Sequence, residues 1–289
     1  PTVTTQPINT PIRAIPRNTN TTTATATAKA MMTGTSMTTA THMAEPTTAN
    51  TATTETAATP ALLQLLWLAS PALPVGGFSY SDGLEAGVSC LQVHDERSAG
   101  DWIVEQLHIS LARCDLAVMA QAIAAWHNAD FERVHALNNW VLHTRETHEF
   151  RRQTEQMGRS LAVWAGQFDP SNADLPATKA HHALQACALA VPTFPVVCAA
   201  VAACGLANHA DALSAHAFTW AENQVQAAIK AVPLGQSAGQ RILARLVQNI
   251  PTAVATAQAL NDFTRQSCTP MLAIHSAQHE TQYSRLFRS

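Results

Sequence analysis

The chain has 289 residues, a formal net charge of −3, 47% hydrophobic and only 13% charged residues. The apolar share is ample for a buried core, and the charged share lies well below the roughly 25% of an average soluble domain. Near-neutrality without any Lys/Arg-rich run excludes a non-specific nucleic-acid binder, which needs cations to displace counterions. So little surface charge also predicts that part of the apolar surface meets another macromolecule. Cys90, Cys114, Cys187, Cys198, Cys204 and Cys268 include no C-x-x-C pair, so neither a zinc ribbon nor a thioredoxin-type site is signalled. A chain this long needs no disulfide staples, and reduced, mostly buried thiols suit a cytoplasmic protein.

Thr makes up more than a third of residues 1–59, with much Ala and few large apolar side chains. Such a stretch cannot offset its ordering entropy by burial and reads as a disordered tail. It lacks the apolar stretch of a secretory signal. Arg13, Arg17 and Lys29 before the first acid, Glu45, faintly resemble a transit peptide, but no amphipathic Arg-rich helix accompanies them.

From residue 60 onward the pattern predicts a single all-α domain of roughly eight to ten helices. Leu62, Leu63, Leu65, Leu66 and Leu68 form a short apolar helix with Pro60 in its first turn, stopped by Pro71 and Pro74. Gly76 and Gly77 permit a tight turn, and a second helix runs from Ser81 towards Leu91. Ser98 and Asp101 suggest a capping box before Trp102, Ile103, Leu107 and Leu111. Asp130 caps a helix carrying Phe131, Val134, Leu137 and Val141, which could extend to Trp164. Pro170 and Pro176 bracket a loop, and two Ala-rich helices follow, separated by Pro192 and Pro195. A helix from about Asp211 ends at Pro233 and Gly235, and another covers about 237–248. No alternating β-branched runs bounded by hairpin turns occur, so strands are not expected.

No charged residue lies between Lys179 and Asp211, yet Pro192 and Pro195 interrupt that span. Its uninterrupted apolar run, Val196 to Ala207, falls short of the roughly 18 residues a membrane helix needs. Core helices are the expectation, with no membrane partner.

Candidate chemistry is sparse. The segment from Gly77 to Gly83 lacks both the G-x-S-x-G of a nucleophile elbow and the Lys of a phosphate loop, so a shaped turn presenting or packing Tyr80 is expected and no catalytic residue is assigned. His275 and His279 are four apart and would share a helix face, the weak candidates for a metal among thirteen histidines. Transient nickel contact remains chemically open, since imidazole and thiolate both suit that ion. Arg145, Glu146, Glu149, Arg151, Arg152, Glu155 and Arg159 read as a solvated face laced by i,i+4 pairs, with a docking surface as the alternative. Lys230 closes a largely apolar helix, where the dipole favours a cation. The segment from His279 to Ser289 mixes Tyr283, Leu286 and Phe287 with charged groups. Such aromatic and Arg residues dominate interfaces, so a tail that orders on binding is expected.

Four blocks go further. LLWLASPALPVGGFSYSDGLE (65–85), RETHEFRRQTEQMGRSLA (145–162), AENQVQAAIKAVPLGQSAGQ (221–240) and HETQYSRLFRS (279–289) together resemble the UreF family of urease accessory proteins, over about residues 62–289. Asp82 stands where Gln is usual in that pattern, and Gln278 where Arg is common. The resemblance implies an all-α, non-enzymatic scaffold, a homodimer that bridges UreD (also called UreH) and the GTPase UreG on apo-urease. GTP would be bound by UreG, and its hydrolysis coupled to nickel insertion. It further implies that Glu85, Lys230, Gln236, Gln240 and Arg241 face UreG. The segment His279, Glu280, Thr281, Gln282, Tyr283, Ser284, Arg285, Leu286, Phe287 and Arg288 would order against UreD. No tightly bound cofactor is implied.

Overall fold

The computed structural model describes residues 52–205 and 207–289. Residues 1–51, most of the stretch expected to be a disordered tail, lie outside the described residues. Eleven α-helices, and no strand, occur among the described residues, one more than the upper end of the sequence expectation. They are α1 (Ala52–Leu68), α2 (Leu84–Ser89), α3 (Glu96–Gln106), α4 (Asp115–His127), α5 (Phe131–Thr144), α6 (His148–Ala165), α7 (Pro176–Cys187), α8 (Phe194–Ala203), α9 (His209–Ala231), α10 (Gln236–Ala259) and α11 (Pro270–Glu280). A 3₁₀ turn occupies Gly77–Ser79, and a π turn, Leu107–Leu111, continues α3.

The centre is built from apolar helices. α4 buries Leu116, Val118, Ala122, Ile123 and Trp126, and α8 buries Val196, Val197, Ala199, Ala200 and Val201. A helix apolar on every side has no solvent face and belongs inside. α8 packs on α4, α6 and α7, while α9 lies along α10. The Trp126 indole donates to the Val196 carbonyl at 2.9 Å, tying α4 to α8. Asn138 of α5 bonds the Val191 carbonyl and the Thr193 amide, both at 2.9 Å, and so satisfies the chain entering α8. α6 approaches that entry so closely that a Cβ on Gly158 would lie 2.3 Å from the Pro192 carbonyl. Among the described residues no single helix is long and apolar enough to cross a membrane, and the long apolar pair α3–α4 is bent.

Several boundaries differ from the sequence reading, each for a local reason. α1 begins at Ala52 and carries Pro60 in its interior, not its first turn. α2 starts only at Leu84, because Asp82 (φ 50°) and Gly83 (φ 81°) adopt left-handed backbone before it. The cap of α3 is Asp95, which accepts from the Ser98 amide while Ser98 answers the Asp95 amide. Ser98 is thus the third helical residue, not the cap. α5 and α6 are separate: Arg145 is extended and Thr147 caps α6 by accepting from the Phe150 amide. Arg145 turns inward to Asp115 at 2.5 Å and Glu149 is buried, so these two leave the expected solvated face. Arg151, Glu155 and Arg159 keep it, with i,i+4 pairs of 3.0 and 3.2 Å. α10 continues past Gln248 to Ala259 with Pro251 on its exposed side. Cys90 and Cys268 are exposed, whereas Cys114 and Cys187 are buried.

Candidate functional site

After α11 the chain turns at Thr281 and runs back over α2 and the 77–83 turn. Glu85, in the first turn of α2, is 5% exposed. One of its carboxylate oxygens accepts from the Leu286 amide at 2.8 Å. The other accepts from the Phe287 amide at 2.9 Å and faces His279 Nε2 at 3.1 Å. His279 Nδ1 faces Glu149 Oε2 at 2.8 Å, and the second Glu149 oxygen accepts from Arg285 at 2.8 Å. The imidazole is thus held between two carboxylates, one facing each ring nitrogen. Glu280 accepts from the Glu149 amide at 3.1 Å, placing an acid at the positive end of α6.

Beyond Phe287 the contact continues along the glycine-rich turn. The Arg288 amide donates to the Ser79 carbonyl at 2.8 Å, and the Ser289 carbonyl accepts from the Ser81 amide at 2.9 Å and from its hydroxyl. Ser289 Oγ donates to Gln153 at 3.0 Å. Phe287 is 7% exposed, a burial that stabilises docking by about 2 kcal/mol. Tyr283 and Leu286 instead point outward, and Thr281, Ser284, Arg285 and Arg288 around them are exposed as well. The segment expected to order only on binding is therefore already folded onto its own domain, because two carboxylates and an apolar seat receive it.

The remaining predicted residues fall in two places. Lys230, Gln236, Gln240 and Arg241 are exposed together where α9 ends and α10 begins. Arg241 forms a two-pronged ion pair with Glu96, at 2.8 and 2.6 Å. Lys230 has its ammonium 5.9 Å from the centre of the Phe287 ring. Glu85 is not on that exposed surface; it lies beneath the segment it binds. His275 and His279 share a face of α11, as their spacing predicts, but that face is internal. His275 Nε2 bonds Gln92 at 3.0 Å and its ring packs edge-on against Trp102. No group of three or more His, Cys, Asp or Glu is arranged to hold a metal among the described residues. The Gly77–Gly83 segment opens with a 3₁₀ turn, Gly77–Ser79, and Tyr80 after it is buried and donates to Gln156 at 3.0 Å.

Behind that turn lies a cavity of about 180 Å³ lined by Asp82, Cys114, Asp115, Arg145, His216 and Trp220. The Asp82 carboxylate accepts from Gln153 at 2.6 Å, Trp220 at 2.8 Å and Gln224 at 3.0 Å. Burial outweighs those donors and raises its pKa. Burial likewise pushes the Cys114 thiol up to about 12 and lowers the His216 imidazole. Sequence reasoning singled out Asp82 only as a departure from a pattern. The Asp82-Gly83 pair, of residue types that tolerate left-handed backbone, was the available signal.

A family profile for UreF matches residues 93–247. The urease accessory protein UreF of Polaromonas sp. (strain JS666 / ATCC BAA-500) is 60% identical over 228 residues, 79% of this chain and 94% of that protein. The UreF of Paracidovorax citrulli (strain AAC00-1) is also 60% identical, over 79% of this chain and 89% of its own length. A bifunctional urease accessory protein UreEF of Bordetella bronchiseptica is 46% identical over 79% of this chain and 52% of its own. With these identities over 79% of its length, the chain belongs to the UreF family of urease accessory proteins.

Proposed function

We propose that the protein is a non-enzymatic scaffold for urease maturation, holding UreD (UreH) and the GTPase UreG together on apo-urease. GTP hydrolysis by UreG is then coupled to nickel insertion. The observation that carries this reading is the adjacency of two exposed surfaces. The docked 279–289 segment offers Tyr283 and Leu286 outward. Beside it, the α9–α10 end offers Lys230, Gln236 and Gln240. Aromatic side chains rimmed by Arg suit a permanent protein interface, and the first surface is assigned to UreD. The second, polar and cationic, is assigned to UreG. A scaffold alters a GTPase cycle only by binding one nucleotide state better than another, and an exposed cation is suited to that discrimination.

In this reading the chain works in the cytoplasm as a homodimer, does no covalent chemistry, holds no tight cofactor and touches nickel at most in passage. The UreEF name from Bordetella bronchiseptica supports work beside other accessory proteins. The experiment is co-purification of the full chain with UreD, UreG and apo-urease, with urease activity as the readout. Deletion of residues 279–289 should abolish UreD capture, and Lys230→Ala should weaken UreG capture. A complex that survives both changes refutes the assignment.

A further inference from the structure

Glu85 and Lys230 carry opposite charges, yet neither is the other's partner. Glu85 holds the Phe287 backbone amide at 2.9 Å. Lys230 sits over the Phe287 ring at 5.9 Å. Phe287 is buried in the core between them. Lys230 is exposed and has no other interaction among the described residues. A lysine stem has four rotatable carbons, so an unrestrained ammonium samples many positions and makes a poor directional contact. The negative face of an aromatic ring restricts it.

We infer that Glu85 is a positioning residue for Lys230, acting through Phe287. The Glu85 carboxylate fixes the Phe287 backbone, the fixed ring seats the ammonium, and the exposed cation is held only while the 279–289 segment is docked. A partner that holds that segment in its docked position then also holds the cation that the other partner meets. This last step rests on the proposed bridging of UreD and UreG, whereas the positioning itself is a property of the isolated chain.

The chain has three lysines, Lys29, Lys179 and Lys230, which makes a direct test practical. After reductive methylation with ¹³C-formaldehyde the cations persist, and each lysine gives a methyl resonance, assigned by Lys→Arg variants. The Lys230 resonance is expected upfield of Lys179, displaced by the Phe287 ring current. It should move to the Lys179 position in Phe287→Leu, which keeps the seat filled, and in Glu85→Gln, which loses an acceptor. A Lys230 resonance that is unshifted in the native chain, or unmoved by both variants, overturns the inference.

The second arm measures UreG affinity for the preformed complex with UreD. Phe287→Leu and Lys230→Met should each weaken it about two- to fivefold, the worth of one exposed cation–aromatic contact. The double variant should be no weaker than the worse single one, whereas additive losses overturn the coupling. A native chain that captures neither partner refutes the bridging reading, while the resonance still decides the positioning.

Discussion

Glu149 Oε2 lies 2.8 Å from Nδ1 of His279, a side chain with no solvent exposure whose other nitrogen faces Glu85. The ring separates two carboxylates that are each only 7% exposed. Removing it leaves uncompensated buried charge, which costs far more than the pair contributes. His279→Ala should therefore lower stability by about 3 kcal/mol. Urea denaturation followed by circular dichroism checks this, and a midpoint unchanged from the native chain would contradict it.

Glu85→Ala and Lys230→Ala should behave differently despite similar sequence signals. Loss of the Glu85 carboxylate removes the acceptors of the Leu286 and Phe287 amides. Those two amides should then exchange with deuterium many-fold faster, with helix content unchanged. Lys230→Ala should leave their protection within about threefold, because the ring contact is weak. Both should reduce urease activation on co-expression.

Gly158→Ala tests the closest helix approach. The added methyl would meet the Pro192 carbonyl at 2.3 Å and the Phe194 amide at 2.9 Å. Backbone cannot rotate away as a side chain can, so overpacking should destabilise by about 1–3 kcal/mol. A calorimetric melting temperature equal to the native value would contradict it.

Asp82 makes stability pH-dependent with a definite sign. Its folded pKa is raised by burial above 3.8, so the folded chain holds this proton more tightly than the unfolded one. The contribution is favourable below 3.8 and is lost as pH rises through the folded value. Asp82→Asn carries no such proton. Its urea midpoint relative to the native chain should rise from pH 4 upward and level off once native Asp82 is ionised. A constant difference across that range would contradict this.

Thiol reagents give a simple check of the core. Cys90 and Cys268 are exposed and should react first with a disulfide reagent at pH 8. Cys114, buried and pushed up to about 12, should react only on unfolding, because the thiolate is the nucleophile. Peptide mapping of the labelled chain distinguishes them.

Helix content was legible because local signals are strong: Asp130 does cap α5, accepting from the Arg133 amide at 3.0 Å, and Pro176, expected to bound a loop, stands where that loop gives way to α7. α4 was not resolved as an element, since a helix buried on every side shows no polar face to mark its period. The start of α3 was misplaced because Asp95 and Ser98 stand at the same three-residue spacing as Ser98 and Asp101, and only the backbone shows which amide needs an acceptor. The family blocks drew attention to Glu85 and to the 279–289 segment, which the structure brings into contact. They could not show that Glu85 is enclosed, because its partners are supplied by His279, Leu286 and Phe287 from the far part of the chain.

That separation ties the end of the chain to the beginning of the described fold. The Glu85–Phe287 contact joins residues 202 positions apart, and α2 and α11 beneath it pack across nearly the same length of chain. Closing a long loop is entropically costly until both of its docking sites exist. The clasp is made by the last eleven residues on a seat built from α2, α6 and α11, so its amides should exchange with deuterium before those of the core helices under mild denaturant. The C-terminal segment is thus a late addition in the chain that closes over a site formed by its beginning, tying the two ends of the described fold together.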